Sequence, residues 1–140
     1  NELDSTIAGY ERDRTTGALH EIQIVTTLPT DFSGQNSCAD LHLTPDGNFL
    51  YGSNRGHNSL VIYRVDPKTG LLRFIGHEST GGKTPRHFAI EPSGNFLYAA
   101  NQDSDNIVHF TIDRDEGTLQ ATGDITEVPT PVCIQFLQTL

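Results

Sequence analysis

Residues 45–51, Pro-Asp-Gly-Asn-Phe-Leu-Tyr, return 47 positions later at 92–98 as Pro-Ser-Gly-Asn-Phe-Leu-Tyr. The match widens in both directions at the same offset. Asn54 falls on Asn101, Asn58 on Asp105, Tyr63 on Phe110, Asp66 on Asp113, Gly70 on Gly117, Leu72 on Leu119 and Gly76 on Gly123. Thr84-Pro85 recurs one residue early at Thr130-Pro131. Upstream, residues 7–19 (IAGYERDRTTGAL) match residues 60–72 (LVIYRVDPKTGLL) at an offset of 53, and the extra residues fall in 26–37, which reads as a long loop. A repeat of this length means a stacked or radial array of supersecondary units.

Each copy reads as four short strands. Leu41 and Leu43 alternate with His42 and Thr44, and Phe88 and Ile90 alternate with Ala89 and Glu91, the period-two signature of a first strand. The Pro-Asp-Gly-Asn and Pro-Ser-Gly-Asn turns follow; proline presets φ and glycine accepts a positive one. Second strands are expected at 49–53 and 96–100, third strands at 60–65 and 107–112, and fourth strands at 71–76 and 118–122. The hairpins at 66–70 and 113–117 end in glycine. No segment carries helical apolar spacing between capping signals. A strand at 132–137 would align with the first strands, giving eleven in all.

Four antiparallel strands per repeat predict an all-β fold: a partial β-propeller of about two and a half to three blades. The expected division is a half blade at 3–28, blades at 38–83 and 84–129, and the first strand of a closing blade at 131–137. So few blades cannot close a ring. The chain is therefore expected to be the C-terminal part of a longer propeller, completed by further blades or by self-association, since bare strand edges invite pairing. The absence of an initial methionine fits a processed or truncated chain.

Composition narrows the function classes. The formal net charge is −9, from 9 Lys and Arg against 18 Asp and Glu, which argues against nucleic acid as a partner. No apolar run is long enough to span a membrane. Cys38 and Cys133 are too few for a disulfide framework and are expected as two buried thiols. No HExxH or CxxC pair exists, the paired aspartates fit no EF-hand loop, and no Gly-x-Ser-x-Gly elbow supports a serine nucleophile. No metal or cofactor is expected.

Residues 39–59 (ADLHLTPDGNFLYGSNRGHNS) and 85–106 (PRHFAIEPSGNFLYAANQDSDN) resemble the lactonase family of seven-bladed propellers, as does Pro131-Val132-Cys133-Ile134. That family includes propeller-type 6-phosphogluconolactonases and the fungal carboxymuconate-lactonizing enzyme. The resemblance implies a cytoplasmic hydrolase of carbohydrate metabolism, in the pentose phosphate pathway, acting on a small anionic sugar lactone.

Blade topology places the loops between second and third strands on the same face as the loops between blades. This gathers Arg55, His57, Arg86 and His87 near the channel mouth. Guanidinium groups hold carboxylates or phosphates, and histidine moves protons near neutrality. Arg86, His87 and His57 are the expected catalytic residues; Arg55, Asn101, Gln102 and Asp40 are the expected substrate contacts. Strict alternation would point Arg86 and His87 to opposite faces unless the strand start is irregular. Asn54, Asp103 and Asn106 are expected to order their loops. Two other readings stay open: a non-catalytic module binding a small anion or a protein, and a carboxymuconate-type cycloisomerase. The fragment alone is also compatible with inactivity if other blades complete the site.

Overall fold

A computed structural model describes residues 1–137. It contains ten strands: β1 (Thr6–Arg12), β2 (Leu19–Thr26), β3 (Ser37–Leu43), β4 (Phe49–Arg55), β5 (Ser59–Val65), β6 (Leu72–Ser79), β7 (Pro85–Ile90), β8 (Phe96–Asn101), β9 (Asn106–Ile112) and β10 (Leu119–Glu127). A 3-10 turn at Gln102–Ser104 interrupts the β8–β9 connection. All pairings are antiparallel between sequence neighbours, giving one two-stranded sheet (β1–β2) and two four-stranded sheets (β3–β6 and β7–β10). β3 and β4 pack against β7, so the inner edges of the two full sheets lie side by side.

The middle sheet is buried on both faces, and its sequence shows why. Phe49 and Tyr51 of β4, with Leu60 and Ile62 of β5, join Phe88, Leu97, Ala99, Val108 and Phe110 of the following sheet in one core. The intervening residues Leu50, Val61 and Tyr63 face the other way and pack on Ile7 and Val25 of the preceding sheet. Alternation therefore sorts one apolar run into two cores. Tyr51 crosses the first core and donates from its hydroxyl to the Gly117 carbonyl at 2.8 Å; burial pushes that phenol well above its usual range.

Each outer hairpin closes on one aspartate. Asp13, Asp66 and Asp113 accept backbone N–H bonds from the residues two and three positions on, which holds each carboxyl below its ordinary range. Gly117 ends its turn at φ +76°, and a Cβ there would stand 2.2 Å from Phe49 Cδ1.

Two expectations are corrected. Residues 131–137 form no strand: no second strand lies beside them among the described residues, and each first strand here is held by its own second strand. The segment instead lies against β7 and β8, with Ile134 bonded to His87 and the Phe136 ring 5.3 Å from Tyr98. The thiols are not both buried either. Cys38 is half-buried, and Cys133, on that strandless segment, is exposed.

Candidate functional site

β3 and β7 begin at the same rim, and both begin with a bulge. Cys38 faces Asn54 and Leu41 faces Gly52, so Ala39 and Asp40 share one partner position. Pro85 faces Asn101 and His87 faces Ala100, so Arg86 is the extra residue. A bulge breaks alternation and re-aims the inserted side chain. The bulge does not bring His87 to the same place as Arg86: the His87 ring lines a separate cavity with His42, Ile134 and Phe136. Arg86 is exposed and lines a cavity of about 470 Å³ together with Asp40 and Arg55. The far wall of the cavity is Ile7, Ala8 and Tyr10 of β1, a strand paired on only one edge.

Arg55 ends β4. Its Nη2 donates to the Cys38 carbonyl at 2.9 Å and to the Glu2 carboxylate. Its Nε is buried without a partner among the described residues. Glu2 lines the same cavity and was not expected there. The signal lay in the repeat: carried back to the first residue, the 53-residue offset sets Asn1-Glu2 on Asn54-Arg55, and the 47-residue offset sets these on Asn101-Gln102. The position after that asparagine is thus glutamate, arginine and glutamine in successive copies of the repeat.

Asp40 and His87 serve another purpose as well. Asp40 Oδ2 accepts the Phe88 N–H at 3.1 Å, and His87 Nδ1 accepts the Ile134 N–H at 3.2 Å. These are the same contact one repeat apart, a side chain on one inner segment clipping the backbone of the next. Burial raises the Asp40 carboxyl, but the bonds from His42 and Phe88, the His42 charge and the Leu41 N–H hold it below its ordinary value. Burial lowers His87; the charge of Asp40 opposes this and that of His42 adds to it.

Asp40, His42 and His87 offer three donor atoms within 4.8 Å of one another, close enough to suggest a metal. The clip argues otherwise. With Nδ1 accepting an N–H, the neutral His87 ring carries its proton on Nε2, facing Asp40 at 3.5 Å. That nitrogen then has no lone pair for a metal, and the trio is a hydrogen-bonded junction.

His57 stands apart from Arg86. Its Nδ1 is 2.6 Å from Ser59 Oγ, and its ring packs edge-on against Phe32 at 5.0 Å and His77 at 5.4 Å, toward the outer strand β6. Gly56 causes this. Its φ is +135°, and a Cβ there would lie 2.2 Å from the Gln35 carbonyl oxygen. The turn lies flat on residues 35–36 and throws the next side chain outward. Burial depresses the His57 imidazole, the His77 charge adds to this, and Asp31 opposes it.

Asn101 is fully buried. It donates to the Thr80 carbonyl at 2.9 Å and to Asn106 Oδ1 at 3.0 Å, out of reach of a substrate. Gln102, at the corner equivalent to Arg55, has its side-chain oxygen buried without a partner among the described residues. The rim therefore brings together Arg55, Arg86, Asp40 and Glu2, and leaves His57, His87 and Asn101 outside this cavity.

Sheets of four antiparallel strands, set inner edge to inner edge with bulged first strands facing one cavity, define a section of a β-propeller. The chain belongs to the family described as lactonase, 7-bladed beta-propeller, whose model matches residues 1–136. It is 38% identical over 136 residues to a 6-phosphogluconolactonase of Bacillus subtilis, covering 97% of this chain and 39% of that one. Among solved structures it superimposes on a periplasmic gluconolactonase of Pseudomonas aeruginosa with a TM-score of 0.92 at 35% identity, covering 98% of this chain and 38% of that one. A protein from Lactobacillus plantarum gives a TM-score of 0.93 at 39% identity, with 98% and 40% covered. The chain thus spans about two-fifths of the length of these relatives.

Proposed function

We propose that this chain supplies one wall of a lactone-hydrolysing site, and that the substrate is a small anionic sugar lactone. The observation that carries the reading is that Arg55, Arg86 and Glu2 line a single cavity. The relatives named as 6-phosphogluconolactonase and gluconolactonase support a sugar lactone, and the first of these names supports an anionic one.

Arg86 is an unpaired cation among the described residues, and its bulge sets it at the mouth. It suits the carbonyl oxygen of the lactone, where negative charge develops in the transition state. Arg55, fixed by the Cys38 carbonyl, suits the substrate's anionic group and orients Glu2. Glu2 is the proton acceptor within this wall. It takes a proton from water as the water oxygen attacks the carbonyl carbon. The ring C–O bond then breaks, and the proton passes to the departing alkoxide, leaving an open-chain hydroxy acid. Asp40 suits this role less well, because its carboxylate already accepts bonds from Leu41, His42 and Phe88.

The test is a steady-state lactonase assay on the full gene product and on Arg86→Ala. Loss of most of kcat/KM in the variant is the expected result. Unchanged turnover would remove Arg86 from the mechanism.

A further inference from the structure

Another cavity, of about 490 Å³, opens on the outer side of the molecule between β2 and β6. Val25 of β2 faces Leu72 and Phe74 of β6 across it, and Leu28 and Pro29 of the crossing loop border it. No Lys, Arg, Asp or Glu among the described residues lines it.

A row of rings runs along this side. Phe32 meets His57 at 5.0 Å between centroids, His57 meets His77 at 5.4 Å, His77 meets Phe74 at 5.1 Å and Phe74 meets Tyr63 at 5.9 Å. His77, Phe74 and Tyr63 line the cavity. Phe74 is 59% exposed, so its ring has room for a further partner. The Tyr63 hydroxyl is engaged, donating to the Thr26 carbonyl. His77 Nε2 donates to the Thr27 carbonyl at 2.8 Å. The neutral His77 ring then keeps its lone pair on Nδ1, to which no group donates among the described residues.

The next pair of sheets is an internal comparison. The 53-residue offset sets Val25 on Glu78, and the 47-residue offset sets Phe74 on Ala121 and His77 on Asp124. The crossing loops differ too. Residues 28–37 join Thr27 to Cys38, whereas residues 81–84, six fewer, join Thr80 to Pro85, so Leu28 and Pro29 lie in the longer loop. Sheet packing does not require this apolar, aromatic lining, because the same packing is made without it one repeat on.

We propose that this cavity binds a small uncharged aromatic molecule bearing a hydroxyl group. The ligand ring extends the row of edge-on and tilted contacts, which aromatic pairs favour over face-to-face stacking. Its hydroxyl donates to His77 Nδ1. A carboxylate or phosphate would lie there among apolar side chains with no cation to pair it, at a high desolvation cost. The volume falls within the range of small-molecule sites, roughly 300–1,000 Å³. The cavity is separate from the rim, and its occupancy does not depend on the lactonase reading.

The test is a ligand-observed NMR titration of the full gene product with 2-naphthol, 2-methoxynaphthalene and 2-naphthoate, which differ in hydroxyl donor and in charge. 2-Naphthol should bind with a Kd below about 1 mM. 2-Methoxynaphthalene, which cannot donate, should bind about five-fold more weakly, and the anionic 2-naphthoate at least about ten-fold more weakly. Phe74→Ala, a side chain the fold already carries at Ala121, should weaken 2-naphthol about ten-fold. No saturable binding, equal affinity for the three ligands, or unchanged affinity in F74A overturns the site. The ligand series uses the parent alone, so it decides the matter even where F74A unfolds. Sedimentation of the parent and F74A supplies the other arm: a dimer of the parent that F74A abolishes would give the cavity to a second copy of the chain and overturn the small-molecule site.

Discussion

Asn54 donates to the Thr27 carbonyl at 2.8 Å, and Asn101 donates to the Thr80 carbonyl at 2.9 Å. Asn101 ends β8 and Asn54 stands one residue before the end of β4, and each ties its strand to the segment that crosses between sheets. The two ties differ in one respect. Asn54 Oδ1 also accepts from Thr27 Oγ1 at 2.8 Å and Asn36 Nδ2 at 3.2 Å, whereas Asn101 Oδ1 is buried without a partner among the described residues.

The partners left behind predict unequal mutational costs. After Asn54→Ala each group it served keeps a second partner: the Thr27 carbonyl still accepts from His77, the Thr27 hydroxyl donates to the Ser5 carbonyl, and the Asn36 amide donates to Ser5 Oγ. Asn101→Ala leaves the Thr80 carbonyl and Asn106 Oδ1 without their donor, at about 1–3 kcal/mol for a buried group left unpaired. In chemical denaturation of the full gene product, N101A should be less stable than N54A by about 1 kcal/mol. The opposite order would show that the stranded Thr80 carbonyl finds a donor elsewhere in the ring.

Glycine positions give a second paired test. Gly117 and Gly70 end equivalent turns at φ +76° and +71°, so alanine is strained at both. Only at Gly117 would the added Cβ meet Phe49, whereas at Gly70 the nearest atom is Ile22 Cδ1 at 4.0 Å. Gly70→Ala should cost about 1 kcal/mol, from backbone strain alone. Gly117→Ala must also displace an aromatic ring from the core, and about 3 kcal/mol is expected. Thermal or denaturant unfolding reads the difference directly.

Much of this architecture was legible in the chain. The 47-residue period carried the sheets, and the aspartate–glycine spacing carried the outer hairpins, because backbone chemistry fixes both locally. Side-chain direction at the rim was not legible. His57 follows Arg55, the last residue of β4, by two positions, yet the positive-φ turn at Gly56 sends one to the outer strand and leaves the other at the cavity. Residues 131–137 have the alternation of a first strand but, among the described residues, no second strand beside them. Glu2 could have been found: the same offset that matched Ile7 to Leu60 also matches Glu2 to Arg55.

Catalysis should separate the two acidic residues of the cavity. Glu2→Gln keeps shape and hydrogen bonding to Arg55 but cannot accept a proton, and should lower kcat by about 10²-fold or more with little change in KM. Asp40→Asn removes the charge that steadies two histidines and the Phe88 N–H, and should act mainly on stability. A lactonase assay beside a denaturation curve distinguishes them. Intact kcat in E2Q would transfer the base role to another blade.

The His87 clip makes a prediction about pH. Its folded pKa lies below the usual imidazole value, so the unfolded chain binds the extra proton first as pH falls. Its contribution is therefore full above the unfolded value of about 6.5 and is lost progressively below it. His57 is depressed for the same leading reason, burial, and adds a slope of the same sign. Asp40, also depressed, adds its own loss only at lower pH, beneath the ordinary carboxylate range. His87→Gln keeps an acceptor for the Ile134 N–H but does not titrate. Unfolding free energies measured between pH 7.5 and pH 5 should therefore fall less steeply in H87Q than in the parent. An identical slope would mean that the ring takes up its proton alike in the folded and unfolded states, and that the Ile134 bond is not made through its unprotonated nitrogen.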